Sequence, residues 1–119
     1  MSTSVADFFS KLKGKRIAFI GMGVTNFDII RLFLKKDLNV TVCDRRKADE
    51  IGEKFTELEK LGAKFVLGEK YLSNLERFDI VLRSPGVYYK REEFNLARKA
   101  GTVVTSEMEL FLNFVPVKL

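Results

Sequence analysis

The chain has 119 residues, 46% of them apolar and 31% charged, with 21 basic side chains against 16 acidic ones and a formal net charge of +5. That length suits one domain with its own core and is too short for two ordinary ones, and the composition excludes a disordered or membrane-embedded chain. The absence of histidine excludes Ser-His and Cys-His nucleophile pairs and histidine metal sites, while the single Cys43 cannot form an intramolecular disulfide.

The charges alternate in sign, as in Glu50-Ile51-Gly52-Glu53-Lys54 and Lys90-Arg91-Glu92-Glu93. This is the pattern of solvated helix faces, and no basic stripe with interleaved aromatics points to a nucleic-acid partner. No apolar run approaches the roughly 20 residues that span a bilayer, and the start lacks a basic segment followed by a long apolar one. A cytoplasmic protein without a membrane partner is expected.

Val5, Phe8, Phe9 and Leu12 fall at helical spacing, which predicts a short helix closed by Gly14. Arg16 to Ile20 reads as a first strand without polar alternation, as in a central parallel strand buried on both faces. A helix from about Thr25 to Lys36 follows, with Phe27, Ile30, Phe33 and Leu34 on its inner face. The second strand, Asn39 to Asp44, is rich in β-branched residues, and its Cys43 reads as a small buried apolar residue. A single helix is predicted from Ala48 to Leu61, with Ile51, Phe55, Leu58 and Leu61 in one stripe and Gly62 as its stop.

Lys64 to Leu67 reads as strand three, closed by Gly68, and a short connection with Tyr71, Leu72 and Leu75 leads to strand four, Phe78 to Arg83. Glu92 to Ala100 is a helix capped by Gly101, and Thr102 to Thr105 is a fifth strand. Ser106-Glu107-Met108-Glu109 forms a capping box for a last helix through Phe114, stopped by Pro116. Val115 to Leu119 resembles the entry to a further strand, so a domain cut from a longer protein is expected. Alternating strands and helices with right-handed crossovers predict one Rossmann-like α/β domain over 1–119. Its five-stranded parallel sheet is expected in the order 3-2-1-4-5, with helices on both faces.

In that order, strands one and four flank the switch point, so the turns at Gly21 to Asn26 and at Ser84-Pro85-Gly86 line one crevice. Gly21 and Gly23 match the first two positions of a dinucleotide fingerprint, one for the turn and one for close approach of backbone to a diphosphate. Asn26 stands where the third glycine would be. The helix that follows turns its positive end toward the same volume.

Asp44, at the tip of strand two, can accept hydrogen bonds from ribose hydroxyls or from the N3–H of a uracil. Arg45 and Arg46 can pair with a phosphate, stack on a base or remain solvated. In the second turn the Ser84 hydroxyl can reach an anion, and Gly86 leaves the backbone open. No Gly-x-x-x-x-Gly-Lys-[Ser/Thr] loop for ATP is present, and no metal or paired-carboxylate constellation stands out. The residues thus leave three readings: a nucleotide-diphosphate anchor, an NAD-binding domain of an oxidoreductase or regulatory module, and an assembly domain that binds nothing.

Gly-Met-Gly-Val-Thr-Asn at 21–26, Asp-Arg-Arg at 44–46, Ser-Pro-Gly-Val at 84–87 and Ser-Glu-Met-Glu-Leu-Phe at 106–111 together resemble the N-terminal domain of the Mur ligases, over nearly the whole chain from Lys13. The D-glutamate-adding branch is the nearest in pattern. The resemblance implies a domain that holds the uridine diphosphate end of UDP-N-acetylmuramoyl-L-alanine for an ATP-dependent amide ligation in peptidoglycan synthesis. It further implies that Val24 and Thr25, in the Gly21–Gly23 turn, meet the diphosphate, and that Asp44 meets the uracil, with Arg45 and Arg46 flanking it. Ser84 and Gly86 would then lie on the phosphate side. ATP and Mg2+ would be handled by the remaining Mur ligase domains, leaving this part without catalysis or a cofactor of its own.

Overall fold

The computed structural model describes residues 5–21, 24–83 and 92–105, with residues 5–8 and 24–26 described by backbone alone. The Ser84-Pro85-Gly86 turn, Gly23 and the helix expected from Ser106 lie outside the described residues.

Five strands form one parallel sheet: β1 (Arg16–Ile20), β2 (Asn39–Asp44), β3 (Lys64–Leu67), β4 (Ile80–Arg83) and β5 (Val103–Thr105). Their order is β3-β2-β1-β4-β5, as the sequence predicts. The middle strands are buried because both of their faces are covered. Ile17 to Ile20 are fully enclosed, which is why that stretch runs apolar without alternation, and Val40 to Asp44 are nearly so, with Thr41 and Asp44 as buried polar residues.

One face is covered by α1 (Val5–Leu12), α2 (Val24–Lys35) and α4 (Glu53–Lys60). Phe33 of α2 sits edge-on to Phe19 of β1 at 5.2 Å and to Phe9 of α1 at 5.6 Å, so three elements share one aromatic cluster. Ile17, Ile30, Leu34, Val42, Leu58 and Leu82 complete that core. The other face is thinner. Its core of Ala18, Ile20, Cys43, Leu72, Leu75, Phe78, Val81, Phe94 and Ala97 is covered by α5 (Glu92–Lys99) and the β3–β4 connection.

The structure departs from the sequence pattern in three places. The helix expected over Ala48 to Leu61 is broken into α3 (Ala48–Ile51) and α4 by Gly52, whose backbone at φ +80° and ψ −137° is open to glycine and closed to most other residues. α4 ends at Lys60, and Leu61 lies on the surface instead of completing the inner stripe; of that stripe Leu58 alone is fully enclosed. Strand four begins at Ile80 rather than Phe78, because Leu75–Arg77 forms a 3₁₀ turn entered through Asn74 in the left-handed conformation.

Cys43 behaves as its place in β2 predicts: burial pushes its thiol up to about 12, well above the ordinary 9.0, with Arg77 working against that rise. Among the described residues no helix is long and apolar enough to cross a membrane.

Candidate functional site

Parallel strands bring their carboxyl ends to one edge of the sheet. Ile20 is in register with Cys43 on one side and Arg83 on the other, and Asp44 is in register with Leu67. Gly21 therefore follows directly beside the tip of β2. Its N–H donates to the Cys43 carbonyl at 2.7 Å, and the Gly68 N–H donates to the Asp44 carbonyl at 3.0 Å. Both glycines have positive φ, +84° and +96°, so each lets the chain leave its strand sharply at this edge. Opening at Val24, α2 brings the positive end of its dipole to the same edge.

Asp44 is 5% exposed, an unusual burial for a carboxylate. It is held by its neighbour two residues on. Oδ1 accepts the Arg46 backbone N–H at 2.8 Å and Nε at 3.1 Å, while Oδ2 accepts an Arg46 terminal nitrogen at 3.0 Å. This planar fork-to-fork pairing fixes the plane of the carboxylate as well as its charge. The same hydrogen bonding holds the Arg46 guanidinium above its ordinary pKa.

Arg46 borders a hollow of about 320 Å³ lined also by Arg45, Lys47, Glu50, Gly68 and Glu69. Glu50 closes the start of α3 by accepting the Lys47 N–H at 3.1 Å, which fixes the course of the chain just after the two arginines. A second hollow of about 330 Å³ lies on the far side of Arg46, against Ile51, Glu53 and Lys54.

Of the site residues expected from the sequence, Gly21, Asp44, Arg45 and Arg46 thus meet at one edge, and Val24 and Thr25 open the helix that starts there. Gly23, Ser84 and Gly86 lie outside the described residues. Arg46 is turned back onto Asp44, an ion pair that the sequence reading did not foresee. That reading named Gly68 only as the close of strand three and did not place Glu50 near the site. The glycine at the strand's carboxyl end was the available signal for the first, and the spacing of Glu50 from Lys47 for the second.

The N-terminal domain model for MurD-like Mur ligases matches residues 15–106. The chain belongs to the Mur ligase family. A UDP-N-acetylmuramoylalanine–D-glutamate ligase from Clostridium botulinum (strain Loch Maree / Type A3) is 35% identical over 119 residues, covering 100% of this chain and 26% of that protein. The corresponding ligase of Clostridium kluyveri is 37% identical with the same coverage. This Mur ligase chain therefore spans about a quarter, 26%, of the length of the curated relatives it matches.

A solved pseudomurein peptide ligase type C from Methanothermus fervidus superimposes with a TM-score of 0.63 at 25% identity, over 85% of this chain and 20% of that one. A shikimate 5-dehydrogenase from Mycobacterium fortuitum, at a TM-score of 0.52 and 13% identity over 90% of this chain and 51% of that one, shares the fold alone.

Ligases of this family imply ATP and Mg2+. The residues of this chain do not fit either group: it has no phosphate-cradling Gly-x-x-x-x-Gly-Lys-[Ser/Thr] loop, and among the described residues no three His, Cys, Asp or Glu converge as they would around a cation.

Proposed function

We propose that this chain is the substrate-anchoring domain of an ATP-dependent ligase that adds D-glutamate to UDP-N-acetylmuramoyl-L-alanine in cytoplasmic peptidoglycan synthesis. Residues 1–119 act as one UDP-binding unit. ATP, Mg2+ and the amide-forming chemistry belong to the remaining Mur ligase domains, and this chain alone turns nothing over.

The observation that carries the reading is the locked Asp44 carboxylate beside Gly21. A uracil offers one imide N–H between two carbonyls, and a carboxylate is an acceptor only, so a fixed carboxylate selects that face of the base. Arg46 holds Asp44 in plane and, with Arg45, borders the hollow in which the base rests. The diphosphate lies against the turn from Gly21 through Gly23 to Val24 and Thr25, where a helix N-terminus favours negative charge. Ser84 and Gly86 are assigned to its phosphate side, as the family resemblance implies. The printed names of the two clostridial relatives support the choice of substrate.

Calorimetric titration with UDP, NAD and ADP tests this. The reading requires UDP to bind in preference to the other two and its affinity to fall by about tenfold or more in Asp44→Ala. Binding of NAD with no response to UDP would overturn it in favour of an oxidoreductase or regulatory domain.

A further inference from the structure

The sheet has a second concave feature, at the opposite edge from Gly21 and Asp44. The β3–β4 connection crosses the thin face with only the 3₁₀ turn Leu75–Arg77, where a doubly wound sheet ordinarily carries a full helix. The amino halves of β1, β2 and β3 are left with partial cover on that face. The result is a groove of about 360 Å³ lined by Arg16, Asn39, Thr41, Lys64, Phe65, Val66, Arg77 and Phe78.

Three of those residues are cations, each from a different element, and none is an acid. Arg16 is engaged through Nε with Asp79 at 3.4 Å. Lys64 and Arg77 have no ion pair among the described residues, and the Arg77 guanidinium lies over the Phe78 ring at 5.0 Å, on the groove wall. The nearby acids are Asp79, already paired with Arg16, and Glu76, exposed on the turn itself.

The groove also carries a hydroxyl group. Thr41 is only 5% exposed as a residue, and its hydroxyl is not among the buried side-chain atoms left without a partner, so it is open to whatever fills the groove. Two cations without an ion pair among the described residues, an accessible hydroxyl and the apolar side chains of Phe78 and Val66 on one groove are complementary to a dianion with a small planar body. The volume falls at the lower end of the range for small-ligand pockets, roughly 300–1,000 Å³.

We propose that this groove is a second ligand site that takes a phosphate group between Lys64, Arg77 and the Thr41 hydroxyl, with an attached ring resting on Phe78. It stands independently of the uridine reading, because none of its residues borders the carboxyl edge. A phosphate monoester carries about −1.5 to −2 charges near neutral pH, which matches the two cations left unpaired.

The test is a titration of the isotope-labelled 119-residue chain with phenyl phosphate and, separately, inorganic phosphate, followed through backbone amide shifts. Saturable shifts are expected at Thr41, Lys64 and Arg77. The double variant Lys64→Ala/Arg77→Ala is expected to weaken binding about tenfold or more, as loss of charge-assisted contacts implies. Thr41→Val, which keeps the shape, is expected to weaken it by a smaller factor. Tighter binding of phenyl phosphate supports an organic phosphate as the occupant; equal binding supports free phosphate in the same site. Absence of saturable shifts at these residues in a well-dispersed spectrum, or binding that both variants leave unchanged, would overturn the proposal.

Discussion

Two aspartate–arginine pairs stand at opposite edges of the same sheet and do different work. Asp79 meets Arg16 at the amino edge with both side chains largely in water, 40% and 57% exposed; Asp44 meets Arg46 at the carboxyl edge with the carboxylate 7% exposed. The first pair belongs to a bracket of main-chain bonds. The Asp79 carboxylate accepts the Arg16 N–H at 2.7 Å, its own N–H donates to the Arg16 carbonyl, and its carbonyl accepts the Val103 N–H. Thr102 Oγ1 adds a buried bond to the Phe78 carbonyl at 2.7 Å. These contacts tie β1, β4 and β5 together at their starts. The second pair fixes one carboxylate where the chain leaves the sheet. The same two residue types serve cohesion when exposed at strand starts and, in the function we propose, recognition when buried at strand tips.

The largest expected effect comes from removing what both edges share. Phe19→Ala empties the centre of β1 beneath Phe33, and a loss of about 3–5 kcal/mol in urea-denaturation stability is expected. It should weaken both edges without preference. A chain of this size has only about 5–15 kcal/mol to lose, so this variant approaches the unfolding threshold.

Asp44→Ala breaks the comparison on one side only. UDP affinity is expected to fall by about tenfold to a hundredfold, the loss of a hydrogen bond to a charged acceptor, measured by calorimetry. Arg46→Lys sharpens the point: it keeps the charge but loses the two-pronged geometry, so an intermediate loss of affinity is expected. If Arg46→Lys bound UDP as well as the parent, the orientation of the carboxylate would not matter.

Gly52→Ala acts beside the carboxyl edge through backbone strain alone, since a Cβ there would meet no atom within 4 Å. A destabilisation of about 1–3 kcal/mol is expected from the φ of +80°, readable by thermal or urea unfolding. Space for a methyl group does not help where the backbone itself is the obstacle.

The smallest effect at neutral pH belongs to the amino edge. Hydrogen bonds from the Arg16 backbone and side chain hold the Asp79 carboxyl below its ordinary 3.8. A carboxyl lowered on folding contributes stability above its unfolded value, and that contribution disappears as pH falls through the folded value. The parent should therefore lose stability on acidification below about pH 4 more steeply than Asp79→Asn, as followed by urea titrations across that range. Coincident acid limbs would show that the exposed pair contributes nothing.

Much of this architecture was legible from residue order. The unbroken apolar run Ile17 to Ile20 marked a strand covered on both faces, the β-branched residues Val40, Thr41 and Val42 marked a second strand, and the glycine after β1 marked the turn. The break at Gly52 was not legible, because Ile51, Phe55 and Leu58 keep helical spacing across it and a glycine inside a helix costs only about 1 kcal/mol. Asp44 could be placed at a strand tip by counting, but its pairing with Arg46 depends on how the backbone bends over two residues. The groove of Arg16, Lys64 and Arg77 was invisible for a different reason. Those residues are far apart in sequence and share a groove where the β3–β4 crossover carries a 3₁₀ turn in place of a full helix.

The central claim is that nucleotide recognition resides in the buried pair and not the exposed one. Backbone amide shifts of the labelled chain on addition of UDP test this most directly. The account predicts saturable changes at Gly21, Asp44, Arg46 and Gly68, with Arg16 and Asp79 unmoved. Changes centred on Arg16 and Asp79, with the tips of β1 and β2 silent, would contradict it.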